Sequence, residues 1–377
     1  MSESSVLLDR AFAEAKRLCY TGLDEKALLR KVTERVRRVV PFEAYCVHAN
    51  DPSSGLITYA IPGDAMMEEM TPVFLEHVYF NDEVTPFSWM VQRRLPAIPL
   101  SEATGGRLER ALRYRELMVP MGFRHEVRGT FALDGELWGS ISALREPGSP
   151  DFDAREVAFF RRVAPHLATG LKAAALRSEA VTKESDTDVM VPGVLILDQR
   201  GRVSQYTWAA ERWLRELGDL RLGWQEARSL PSAVWSVVGA LQRALSPGTD
   251  RDQNGVPRLL IRGRSGRWLA LHGARTEPYL DRESETMVVI EQAVPREVAW
   301  LRTSAYALSS REREVVDLVV RGLSTKQISQ TLYISEYTVQ EHLSNVFDKV
   351  GVRGRRALVK RLYLDSLFFS EDSKQRR

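Results

Sequence analysis

The sequence predicts a multidomain chain in which two α+β domains precede a small all-α domain of four helices. Three observations carry that reading. A length of 377 residues exceeds one ordinary core and implies two or three, each burying its own apolar surface. Apolar periodicity alternates between helical and strand spacing up to about residue 294, and after residue 308 it is helical throughout. Charge divides at the same place: residues 308–377 hold 13 Lys+Arg against 9 Asp+Glu, whereas residues 1–307 hold 40 against 41. The net charge of +3 is therefore an excess of the C-terminal domain, as expected if that domain alone meets phosphates.

The first domain is expected over residues 1–180. Leu8, Phe12, Ala15 and Cys19 mark one amphipathic helix; Leu28, Val32, Val36 and Val39 mark a second, stopped by Pro41. Strands are expected at 45–49 and 56–60, and at 127–133 and 137–144 across the turn dipeptide Asp134-Gly135. A long helix over 153–177 closes the domain, its stripe of Val157, Phe160, Ala164, Leu167 and Leu171 suited to the domain's own core or to a partner helix. Residues 181–190 read as a linker, since 182–188 contain no apolar residue. The second domain, 191–294, shows strands at 194–197 and 202–206 around the turn 198–201, helices at 209–217 and 233–245, and strands at 258–261, 268–272 and 287–291. A connector helix over 295–307 carries Val298, Leu301 and Ala305 and leads to the last domain, 308–377.

Composition excludes several classes. No apolar run reaches the roughly 18 residues of a membrane span, and the first residues lack a basic stretch followed by an apolar one, so a cytoplasmic location is expected. Cys19 and Cys46 have no pairing or metal-ligand spacing and read as buried hydrophobes. The six histidines are scattered, no nucleophile motif accompanies them, and no Gly-Lys dipeptide supports a phosphate-binding loop. The chain is not expected to be an enzyme or to hold a metal. The rival reading is a small-molecule-modifying domain tethered to a DNA-binding module.

In the last domain Ser309 or Ser310 caps a helix over 311–321 that Gly322 ends, residues 325–332 form a short second helix, and Ser335 caps a third that Gly351 terminates. Val315, Leu318, Val319, Ile328, Leu332, Val339, Leu343 and Val346 then face one core. Tyr337, Gln340, Glu341, Ser344 and Lys349 are left on the surface of the third helix. Arg353, Arg355, Arg356, Lys360 and Arg361 follow with no acid among them, a like-charged cluster that an anion would relieve.

These residues resemble the LuxR-type helix-turn-helix through Leu308-Ser309-Ser310-Arg311-Glu312-Arg313-Glu314-Val315, Gly322-Leu323-Ser324-Thr325-Lys326-Gln327-Ile328, Ile334-Ser335-Glu336-Tyr337-Thr338-Val339-Gln340-Glu341-His342-Leu343 and Lys349-Val350-Gly351-Val352-Arg353. The resemblance implies a transcription regulator that places its third helix in the major groove of promoter DNA. It also implies a homodimer formed through a fourth helix over 356–368, with RNA polymerase a candidate partner and the nucleoid its location. By position, Gln340, Glu341, Ser344 and Tyr337 would face base edges, while Lys326, Thr338, Lys349, Arg353 and Arg355 would hold phosphates. Gln340 stands where many members carry Lys, which bears on target sequence rather than on DNA binding.

Residues 1–180 resemble a GAF domain in their order of elements and in the hairpin ending Leu137-Trp138-Gly139-Ser140-Ile141. Residues 191–294 resemble a PAS domain through Gly193-Val194-Leu195-Ile196-Leu197-Asp198, Gly201-Arg202-Val203 and Ala209-Ala210-Glu211-Arg212. Both resemblances imply sensing. Six of the nine methionines lie between Met66 and Met121 among aromatic residues. Met66, Phe87, Trp89, Tyr114, Met118 and Trp138 are therefore the candidate lining of a pocket for a small organic ligand of unassigned identity, with no cofactor expected besides.

Overall fold

The computed structural model describes residues 3–63, 73–75, 77–78, 84–181, 191–218, 224–225, 230–245, 256–278, 283–294, 297–298, 306 and 308–364. The expected linker beyond residue 181, most of the connector and Met66 lie outside the described residues. The chain forms two compact units, Met1–Gln292 and Ala293–Arg377.

The first unit opens with α1 (Glu3–Cys19) and α2 (Glu25–Arg37), the latter capped by Asp24, whose carboxylate accepts the Ala27 N–H. Strands β1 (Ala44–Asn50), β2 (Ile57–Pro62), β3 (Ala97–Pro99), β4 (His125–Leu133) and β5 (Glu136–Arg145) build a wholly antiparallel sheet in the order β2-β1-β5-β4-β3. Helices α3 (Phe87–Gln92) and α4 (Leu100–Thr104) lie between β2 and β4 in the chain. The expected hairpin forms: Asp134 and Gly135 both take positive φ (55° and 83°), the geometry that matches strand twist in a two-residue turn.

Helix α5 (Ala154–Val181) closes this part. Asp153 accepts the N–H groups of Arg155 and Glu156 at its start. Its stripe of Val157, Phe160, Ala164, Leu167 and Leu171 is buried, and α5 packs on β4, α1 and α2, so the stripe serves the domain's own core and not a partner helix. Gly139 explains how closely α5 approaches: a Cβ there would sit 2.9 Å from Leu171 Cδ1 and 2.8 Å from the His48 carbonyl.

A second antiparallel sheet follows, with β6 (Gly193–Leu197), β7 (Val203–Tyr206), β8 (Arg258–Arg262), β9 (Trp268–Arg275) and β10 (Thr286–Gln292) in the order β7-β6-β10-β9-β8. Its inner face is covered by α6 (Trp208–Leu217) and α7 (Ser232–Leu245). Thr207 caps α6, and Gly193 lets the helix lie against β6, since a Cβ there would be 2.5 Å from Ala210 Cα.

The two sheets, expected in separate domains, share one compact unit. One apolar cluster runs from Ile57, Leu75 and Val78 to Val234, Val237 and Leu259. The buried Asp51 carboxylate accepts the Leu260 N–H at 2.9 Å across 209 residues of sequence. Pattern reading cannot foresee such a junction, because each half supplies only part of the apolar surface that the other covers.

The second unit contains α8 (Ser310–Val320), α9 (Thr325–Leu332), α10 (Glu336–Val350) and α11 (Arg355–Val359), the last continued by a π-helical turn over Lys360–Leu364. Val315, Val319, Ile328, Val339, Leu343, Val346, Leu358 and Leu362 meet in its core. The first three helices begin and end within a residue of those expected, because a serine caps each start; the expected fourth helix over 356–368 begins at Arg355 without a side-chain cap, and its residues beyond 364 lie outside the described residues.

Candidate nucleic-acid interface

Three side-chain caps fix the geometry of the helical unit. Ser309 and Glu312 form a reciprocal capping box on α8, and Ser324 with Gln327 forms another on α9. Ser335 caps α10 by accepting the Thr338 N–H at 3.0 Å. Between α9 and α10 the chain turns in three residues, with Tyr333 in the left-handed region (φ 54°) and Ile334 N–H bonded to the Ser329 carbonyl. This tight turn, with Ile328 and Val339 buried on either side, fixes α9 against α10.

On α10, Val339, Leu343, Val346 and Val350 are buried, which turns the opposite stripe outward. Tyr337 is 80% exposed, and Gln340, Glu341 and Ser344 are exposed beside it at the i, i+3, i+4, i+7 spacing of one helix face. The structure thus brings all four expected base-facing residues onto one surface. Gln340 Nε2 donates to Thr325 Oγ1 at 3.2 Å, which leaves one of its N–H groups and its carbonyl oxygen available, the pair that adenine N7 and N6 demand.

The expected phosphate-holding residues divide. Lys326 and Arg353 are exposed. The Thr338 hydroxyl lies 2.8 Å from Ser335 Oγ, within the cap. Lys349 and Arg355 are engaged inside the domain. The Lys349 ammonium lies 2.6 and 2.9 Å from the Glu312 carboxylate oxygens, tying the last turn of α10 to the first of α8. Burial alone would raise the Glu312 carboxyl; Lys349 and the Ser309 N–H and hydroxyl outweigh it and hold the group below the ordinary carboxylate range. Arg355 donates to the Leu323 carbonyl at 2.7 Å and to Thr325 Oγ1 at 2.8 Å, bracing the start of α9.

Thr325 and Glu312 are the residues that sequence reading passed over. Thr325 Oγ1 receives both Gln340 and Arg355, so it couples the exposed stripe to the basic segment after α10. The Ser-x-x-Glu spacing marks Glu312 as a cap partner in the sequence, but its pairing with Lys349, 37 residues away, needs the fold.

The candidate ligand-lining residues are only partly brought together. Phe87 and Trp89 of α3 belong to one apolar cluster, Tyr114 and Met118 to another, both on the sheet face opposite α5. Trp138 is on the other side. The register of the β4–β5 pair shifts between Phe131 and Ala132, placing Trp138 in a bulge that aims its ring at α5, where Lys172 Nζ lies 5.9 Å from the ring centre. Between the two clusters the sheet face is polar. Arg113 and Arg128, both buried, share Glu126 at 2.7 and 3.1 Å, and the His48 ring lies stacked on Phe74. Among the described residues no group of three His, Cys, Asp or Glu is placed to hold a metal, and no helix is long and apolar enough to cross a membrane.

With this geometry in place, comparison with known proteins is informative for the helical unit. The family model for bacterial regulatory proteins, luxR family, matches residues 306–362. The spore germination protein GerE of Bacillus subtilis is 48% identical over 61 residues, which are 16% of this chain and 82% of GerE. The transcriptional regulatory protein DegU of Brevibacillus brevis is 41% identical over 58 residues, 15% of this chain but only 25% of DegU. Among solved structures, Escherichia coli SdiA aligns over 94% of this chain and 98% of its own at 9% identity with a TM-score of 0.35, too low to establish a common fold for the upstream regions.

Proposed function

The chain belongs to the luxR family of bacterial regulatory proteins, and from that premise we propose that it is a dimeric, sequence-specific transcription regulator whose hold on promoter DNA answers to a small ligand upstream. The observation that carries the reading is the exposed stripe Tyr337, Gln340, Glu341 and Ser344 on a helix whose other face is locked into a three-capped core. Such a face fits the major groove, where Gln340 reads adenine and Glu341 accepts from cytosine N4. Lys326, Thr338 and Arg353 hold phosphates beside it. Lys349 and Arg355 act one step back, the first on α8 and the second on α9.

The upstream unit is read as GAF-like and then PAS-like. Support comes from the two sheets sharing one strand order, second-first-fifth-fourth-third. Ligand is placed in the first of them, on the face that carries Phe87, Tyr114 and Met118. The protein works at the nucleoid in the cytoplasm, with RNA polymerase a partner at the promoter.

Selection of bound duplexes from a random pool by the full chain, followed by fluorescence anisotropy on the enriched sequence, tests the DNA reading. Gln340→Ala is expected to lose about 1–3 kcal/mol of discrimination at one base pair. Arg353→Ala is expected to weaken all duplexes alike and flatten the salt slope by about one. Equal losses on every sequence from both substitutions would overturn the assignment of roles.

A further inference from the structure

The hydrogen bonds on the first sheet determine a histidine tautomer. Asn50 Nδ2 donates to the Gly55 carbonyl at 2.9 Å, which turns its Oδ1 toward Ser140. Ser140 Oγ donates its one proton to that Oδ1 at 3.1 Å. The 3.1 Å bond between Ser140 Oγ and His48 Nδ1 must then be donated by the histidine, so Nδ1 carries the proton and the neutral ring keeps a lone pair at Nε2. His48 is wholly buried and its Nε2 has no partner among the described residues.

The surroundings narrow what that lone pair can receive. Phe74 stacks on the imidazole at 5.2 Å with 15° between the planes, and Phe87 lies at 6.0 Å. Burial, and then the nearby Arg128 charge, push the His48 ring down to about 3, so it stays an acceptor at any working pH. The same Arg128 charge disfavours a cationic donor. Two residues along β5 from Ser140, the Ser142 hydroxyl is also buried without a partner, and the register puts it diagonal to His48, roughly 7 Å away by Cβ. Two orphaned polar groups thus lie on one face of the β1–β5 pair, with Phe74 and Phe87 against the His48 ring.

We infer that this face of the first sheet binds a small uncharged molecule that donates an O–H or N–H hydrogen bond to His48 Nε2, sets an apolar body against Phe74 and Phe87, and meets the Ser142 hydroxyl with a second polar atom. The inference rests on the ligand-responsive reading and specifies its chemistry. A carboxylate lacks the required proton, and a hydrocarbon leaves both orphans unmet.

Phenol and anisole differ only in that donor, which makes them suitable probes. Full-length protein labelled with ¹⁵N-histidine is titrated with each. The expected result is a free-state His48 with its proton on Nδ1, an Nε2 resonance that moves with phenol, and phenol binding roughly tenfold tighter than anisole. His48→Phe should abolish the preference, and the tautomer and phenol preference read on the unsubstituted chain keep the test open if that variant misfolds. A proton on Nε2, equal binding of the two probes, no binding of phenol, or a preference that survives in His48→Phe each overturns the proposal. Operator binding, measured without either probe, tests the regulator reading by itself, so the two fail separately.

Discussion

The two five-stranded sheets of the first unit share one strand order and one direction of pairing, yet their interiors have opposite chemistry. Among the described residues, fifteen polar or charged side chains are buried in residues 1–181, and Ser236 is the one counterpart in residues 191–292. The second sheet turns Leu195, Leu197, Leu269, Leu271, Val288 and Ile290 onto Trp213, Val234 and Val237, a core that area burial stabilises without further requirement. The first buries Arg113, Glu126, Arg128, His48, Ser140 and Ser142 on the side opposite α5. Topology therefore does not distinguish the two sheets. On the ligand-responsive reading proposed above, the polar interior does, because buried polar groups are costly unless partnered, and His48 Nε2 and Ser142 Oγ are unpartnered on one face of the first sheet.

The largest test of this contrast is Glu126→Ala. It strands two buried guanidiniums and should cost about 3–5 kcal/mol in urea denaturation of the full chain. Leu271→Ala in the second sheet should cost about 2–5 kcal/mol through transfer and cavity terms, with no dependence on pH. If Glu126→Ala proved milder than Leu271→Ala, the first sheet's polar interior would not depend on the Arg113–Glu126–Arg128 ion pairs.

An intermediate effect separates the sheets by pH. His48 titrates near 6.5 when unfolded and is held neutral to about 3 when folded, so protonation favours the unfolded chain throughout that window. Stability is unaffected above about pH 6.5 and falls by about 1.4 kcal/mol per unit below it from this group alone. His48→Gln should flatten that slope, and a Leu271→Ala background should leave it unchanged. A smaller acid effect belongs to the helical unit. The lowered Glu312 carboxyl contributes stability that is complete above about pH 4.3 and is lost as pH falls through its folded value, a loss Glu312→Gln should remove.

Sequence and structure agree where the signal is local. Asp134-Gly135 announces its hairpin because both residues tolerate positive φ, and the Ser-x-x-Glu and Ser-x-x-Gln boxes announce their helices because the cap lies within one turn. The Tyr337–Ser344 stripe is legible for the same reason: periodicity alone separates a buried from an exposed helix face. What escaped depends on register or distance. One bulge residue moves Trp138 to the far side of its sheet, Lys349 is drawn to a carboxylate 37 residues away, and the Asn50–Ser140–His48 chain exists only because β1 pairs with β5 in one register. A polar residue in a strand reads as an outward one until the opposite face is known to be covered too.

The smallest effect distinguishes two serines of one strand. Ser140→Ala removes the acceptor of a buried imidazole N–H and frees the Asn50 carbonyl oxygen, and should cost about 1–3 kcal/mol. Ser142→Ala deletes a buried hydroxyl that has no partner, leaves no cavity larger than one atom, and should be neutral or stabilise the ligand-free chain by up to about 1 kcal/mol. Opposite signs two residues apart, read as shifts in the thermal midpoint of the full chain, would mean that Ser142 is retained at the expense of stability. Equal destabilisation by both would mean that Ser142 belongs to the internal network, and the first sheet would then differ from the second in composition but not in holding a hydroxyl kept for a partner outside the chain.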